Sequence, residues 1–150
     1  RANLAHKPQG SDRSQVKAIK EGVCDVSLGN TYYMGQMKKD PKQRAWADAV
    51  YIVFPNQGDR GTHVNISGVA ITKAAKHKET AIRFVEFLSS EAAQELYAKQ
   101  NFEYPVKKGV PWHSEVLSWG RFEPDTKRLA EVAKFNGTAV KIVDRVRYDE

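Results

Sequence analysis

The chain of 150 residues has a single cysteine, Cys24, so no internal disulfide can form and a thiol-cluster metal site is excluded. Its four histidines, His6, His63, His77 and His113, lack the close helical spacing of a zinc site. No apolar run approaches the roughly 18 residues that a membrane-spanning helix needs. The first residue is Arg1 rather than methionine, and no charged, apolar and small-residue regions follow it as in a secretory leader. There is no glycine-rich phosphate loop after a strand and no nucleophile-elbow motif, which argues against an enzyme. Repeats and low-complexity tracts are also lacking. Charge is present in excess of one sign, with 24 Lys and Arg against 18 Asp and Glu, giving +6. Charge of this size raises a nucleic-acid-binding module as one class. The cations are scattered, however, as in Lys38-Lys39, Lys73, Lys76, Lys78 and Lys107-Lys108, which reads as a solvated surface.

What is there alternates between two periodicities. Residues 1–12 are polar and read as a loop or an edge. Asp12 is a candidate cap for a helix from Arg13 to Glu21, ended by Gly22. Val23 to Leu28 reads as a strand with Cys24, Val26 and Leu28 on one face, which makes Cys24 a buried structural thiol. Asp40-Pro41 is the expected start of a second helix carrying Ala45, Trp46, Ala49 and Val50. Tyr51 to Phe54 and Val64 to Thr72 read as strands, the latter kinked at Gly68. Lys78 to Leu88 is helical, and Ser89 or Ser90 caps the next helix. Residues 101–123 read as an ordered loop, and Thr126 to about Val146 as one long amphipathic helix. Alternating strands and helices of this kind indicate an α/β class.

The candidate site is the turn Gly29-Asn30-Thr31-Tyr32-Tyr33. Phenolate oxygen is a hard anionic donor, and tyrosine ligates iron in catalase haem. Free tyrosine has a pKa of about 10, but a bound cation of high charge can strip the proton from its own ligand. On a strand the two side chains would point to opposite faces. Gly29-Asn30 breaks the strand, and Asn30 or Thr31 can cap a short helix running to Met37. At a helix start consecutive side chains diverge by only about 100°, so both phenols can face one cleft. The partial positive charge of the helix N-terminus favours phenolate there. Packing is the ordinary role of such a pair.

These residues resemble the periplasmic ferric-iron-binding proteins, solute receptors of bacterial ABC iron importers. The resemblance runs through Asp12-Arg13, Gly29-Asn30-Thr31-Tyr32-Tyr33, Val53-Phe54-Pro55-Asn56-Gln57 and Gly61-Thr62-His63-Val64-Asn65-Ile66-Ser67-Gly68. It continues through Phe102-Glu103-Tyr104-Pro105-Val106, Ser118-Trp119-Gly120 and Val143-Asp144-Arg145-Val146. It implies a periplasmic-binding-protein fold of type II, two α/β lobes joined by crossover strands, of which this chain is about the C-terminal half. Residues 1–62 then belong to the second lobe, 63–112 cross back to the first, and 113–150 return to the second.

The resemblance implies that Tyr32 and Tyr33 ligate Fe3+ and that Asn30 contacts a synergistic anion such as carbonate, where one is used. Further ligands fall in the other half. His63 sits near the crossover, where it could face the cleft. The implied partner is an inner-membrane ABC permease, the implied compartment the Gram-negative periplasm, and the complete protein a monomer with no membrane span. A two-lobe receptor for an oxyanion is the nearest alternative.

Overall fold

A computed structural model describes residues 2–5, 7 and 10–148. Of the expected polar loop 1–12, Arg1, His6, Pro8 and Gln9 lie outside the described residues. Helix α1 spans Asp12–Lys20. Its cap is Ser11, whose hydroxyl accepts the Ser14 N–H at 3.2 Å. The expectation that Asp12 caps this helix is therefore corrected by one residue, and the Asp12 carboxylate is left for other work. Gly22 follows α1 with φ +72°, a left-handed geometry that glycine adopts without a Cβ penalty.

Helices α2 (Tyr32–Lys39) and α3 (Arg44–Ala47) pack with α1 around Met34, Met37 and Ala47. Val16, Tyr33, Trp46, Val50, Ile52 and Trp119 surround that core. α3 starts later than Asp40-Pro41 because Asp40 makes a turn first. Its carboxylate accepts the Lys42 N–H at 2.9 Å, and its carbonyl accepts those of Gln43 and Arg44. Helix α4 (Lys78–Leu88) matches its expected bounds, and Ser90 caps α5 (Glu91–Asn101) by accepting the Ala93 N–H. α5 packs on α2 through Phe102, whose backbone is left-handed and whose ring covers Gly35.

The segment expected as a loop contains α6 (Ser114–Ser118), capped by His113, whose Nδ1 accepts the Glu115 N–H at 3.0 Å. The single C-terminal helix is replaced by two, α7 (Leu129–Ala133) and α8 (Asn136–Val146). Phe135 donates to Val132 in a tight turn between them, and Asn136-Gly137 are weak helix formers.

Segments 23–28, 51–54 and 64–72 form no ladder among the described residues. A strand needs a neighbour about 4.8 Å away, and among the described residues none pairs with them. Several of their apolar side chains face solvent instead: Val26 is 81% exposed, Leu28 88% and Tyr51 95%. Cys24 is accordingly only partly buried, not enclosed as expected. The β pairing that does form is a parallel bridge between Thr62 and Pro124. Thr62 donates to the Glu123 carbonyl and accepts from Asp125, both at 2.8 Å.

Gln57 braces the bridge, donating Nε2 to the Glu123 carbonyl at 3.1 Å and accepting the Glu123 N–H at 2.7 Å. Gly61 has φ +88°, and a Cβ there would stand 2.7 Å from the Glu123 carbonyl oxygen, so only glycine fits. Phe54 stacks on Phe122 beside this clasp, with ring centroids 4.4 Å apart. The Tyr104 ring meets the edges of Phe122 and Trp112. Among the described residues its buried hydroxyl has no hydrogen-bond partner, and burial pushes its pKa up to about 12.

Candidate metal centre

Tyr32 and Tyr33 open α2, and their ring centroids lie 4.5 Å apart with a 41° tilt. Both side chains therefore leave the helix on one side, as the turn geometry requires for a shared ligand. The Tyr33 ring packs against the Met34, Met37 and Ala47 core and is itself half-buried. Arg13 lies over the Tyr33 ring, its Cζ 5.6 Å from the centroid. That guanidinium is held by Gln36 Oε1 at 2.8 Å and Gln43 Oε1 at 3.2 Å. It is thus a fixed positive charge beside the phenol pair, anchored by neutral acceptors.

Tyr32 has a raised pKa. The largest cause is its hydrogen bond with the Tyr33 hydroxyl, followed by burial, then by the charges of Tyr33, Asp12 and Glu103. A phenol raised in this way is protonated at neutral pH, and a bound trivalent cation must displace that proton. Among the described residues no three His, Cys, Asp or Glu side chains converge on a metal-sized site. The paired phenols stand side by side at the start of α2.

Thr31 makes no side-chain cap, contrary to one expected option. Asn30 turns back to α1 instead, where its backbone N–H and Nδ2 both donate to Asp12 Oδ2, at 2.7 and 3.0 Å. Sequence spacing did not reveal this contact or the place of Arg13, because they join elements about 20 positions apart with no periodic signal. His63 is exposed and lines a cavity of about 290 Å³ with Arg60, Asp125, Lys127, Val132 and Phe135. No described helix is long and apolar enough to cross a membrane.

The described residues thus combine a tyrosine pair at a helix start, extended segments without ladder partners and two segments clasped at one point. The chain belongs to the bacterial extracellular solute-binding protein family, whose profile matches residues 3–95. It is 46% identical over 145 residues to iron uptake protein A1 of Synechocystis sp., covering 95% of this chain and 40% of that protein. It superposes on apo ferric ion-binding protein A of Pasteurella haemolytica with a TM-score of 0.95 and 54% identity. That match covers 99% of this chain and 47% of the other. A Trichodesmium protein (IdiA, FutA) solved with iron and citrate gives a TM-score of 0.90 at 43% identity, covering 97% of this chain and 47% of its own. The chain thus spans about half the length of the relatives it matches, and its fold is the corresponding half of the type II periplasmic-binding-protein fold. These relatives favour neither an oxyanion receptor nor a nucleic-acid module.

Proposed function

We propose that this chain is the C-terminal half of a periplasmic receptor that captures ferric iron and hands it to an ABC permease of the inner membrane. The observation that carries the reading is the Tyr32–Tyr33 pair, two phenol rings side by side at the mouth of α2, in a chain whose relatives are named for iron uptake and ferric binding. Tyr32 and Tyr33 ligate Fe3+ as phenolates. Two donors leave a roughly octahedral ion unsatisfied, so the first half, water or an anion such as carbonate completes the shell. Residues 1–62 and 113–150 form most of the second lobe, and 63–112 cross to the first. The clasp of Thr62 with Pro124 adjoins the first crossing. The unpaired segments 23–28, 51–54 and 64–72 take their neighbouring strands from the first half.

Lobes that close around a bound ion sequester it by the hinge motion of periplasmic binding proteins. No bond of the cargo is made or broken in carriage, so the protein is no enzyme. Release follows opening, phenolate protonation or reduction to the softer ferrous ion, which hard oxygen holds less well.

The test is a ferric titration of the full-length protein, read by visible absorbance and by competition with a chelator. Tyrosine-to-iron charge transfer colours the complex. Tyr33→Phe conserves ring volume against Met34 and Met37, and should lower affinity at least tenfold, about 1.4 kcal/mol. A Tyr32→Phe, Tyr33→Phe double variant with the parent's colour and affinity would refute the assignment.

A further inference from the structure

Asp12 is placed where neither helix capping nor ion pairing needs it. Ser11 already caps α1. Among the described residues Asp12 takes part in none of the four ion pairs. Its neighbour Arg13 is held by Gln36 and Gln43 and faces Tyr33. A single oxygen of Asp12, Oδ2, accepts both the backbone and the side-chain N–H of Asn30. The same oxygen lies against Gly29, where a Cβ would stand 3.4 Å from it. The carboxylate therefore seats on the two residues that end the extended segment and begin the tyrosine turn.

We infer that Asp12 is a positioning and specificity residue of the metal site. It locks the turn that presents Tyr32 and Tyr33, and its charge keeps anions off that flank of the ion. The inference rests on the ferric reading above. Positioning follows from the chain geometry. Asn30 is two residues before Tyr32, and its carbonyl accepts the Tyr33 N–H at 3.3 Å, so fixing Asn30 fixes the first turn of α2. Anion exclusion follows from charge and from donor use. An Asn30 amide would be a donor for a bound oxyanion, but one of its N–H groups is spent on Asp12. The carboxylate beside it repels any second anion at short range. An anion that completes the shell must then approach from a flank other than that of Asp12 and Asn30. Asn30 thus makes a structural contact with Asp12 through one of its amide N–H groups.

Two variants of the full-length protein separate the roles. Asp12→Asn retains an oxygen that can accept both Asn30 bonds but removes the charge. Asp12→Ala removes lock and charge together. Each is titrated with ferric iron, then with inorganic phosphate, while the visible band is followed and circular dichroism checks folding. The parent band should be indifferent to millimolar phosphate. The Asp12→Asn band should shift with phosphate, a shift rather than a loss marking phosphate that joins the ion instead of stripping it. Asp12→Ala should bind ferric iron at least tenfold more weakly. A phosphate-sensitive parent, or an Asp12→Asn variant as indifferent as the parent, overturns the exclusion. Asp12→Ala with the parent's affinity overturns the lock, and if that variant does not fold, Asp12→Asn still decides the inference. A parent that gives no coloured ferric complex would instead sink the phenolate reading itself, a separable failure.

Discussion

Replacing Gly35 with alanine sets helix propensity against packing, and the structure says which wins. Gly35 lies inside α2, where alanine is worth about 1 kcal/mol over glycine in an open helix position. Here the added Cβ would stand 2.2 Å from Cγ of Phe102, 2.4 Å from Cδ1 and 2.7 Å from Cδ2. Carbon atoms rest about 3.5–4.0 Å apart, so the ring must move by more than 1 Å on that scale. It has little room to do so. Phe102 is 2% exposed, its backbone is left-handed, the His113 ring lies 4.6 Å away and Lys39 Nζ sits 4.5 Å from its centroid. Overpacking costs about 1–3 kcal/mol, and a ring boxed on several sides belongs at the upper end. Subtracting the propensity gain leaves a net loss of about 2 kcal/mol, or a fall in Tm of about 3 °C for a protein about twice this chain's length, by the per-residue unfolding entropy. Thermal unfolding of the full-length protein by circular dichroism measures it. Gly137→Ala in α8 is the control, since a Cβ there meets nothing within 4 Å, and it should be neutral or stabilising. If Gly35→Ala raised Tm as the control does, the packing of Phe102 on α2 would be wrong.

Ferric affinity should fall as pH drops, because the ion displaces a proton from each phenol and Tyr32 holds its proton above the ordinary range. The slope should approach about tenfold per pH unit for each proton displaced, throughout the range below the phenol pKa. Titrations at several pH values, corrected for the chelator's own protonation, check this, and flat affinity between mildly acidic and neutral pH would contradict it. The isolated 150-residue chain should bind ferric iron far more weakly than the full-length protein and unfold without a sharp transition. Phe84, Phe87, Leu96 and the segment containing Ile66 and Val69 are left in solvent. Urea titration followed by circular dichroism tests the second point, and a cooperative monomer with tight ferric binding would refute it.

Local rules found the helices whose signals are local. α4 and α5 needed only apolar spacing and Ser90, and α1 needed only a polar cap and Gly22. Val26 and Tyr51 show where such reading stops. Their β pattern forms no ladder among the described residues, because pairing is a property of two segments and periodicity reports only one. The C-terminal helix failed differently, since apolar spacing alone gave no weight to Asn136-Gly137. In the site, the Tyr-Tyr turn was legible because it is contiguous. The Asp12–Asn30 contact was not, because it depends on how α1 packs against α2, and no periodicity encodes that.

The clasp of Thr62 with Pro124 has a consequence for the order of folding. Gln57 and Glu123 are 66 positions apart, and closing a loop of that length costs about 4 kcal/mol of chain entropy. Four hydrogen bonds close it, two from Thr62 and two from Gln57. At a net worth of about 1 kcal/mol each, they roughly cancel the loop cost and leave nothing over. The margin by which the two segments hold each other then falls to the Phe54–Phe122 stack beside them. A clasp with so small a margin is expected to close after the excursion carrying α4, α5 and α6 has packed and to open before it unfolds, an order that hydrogen exchange at Thr62 and Asp125 would report.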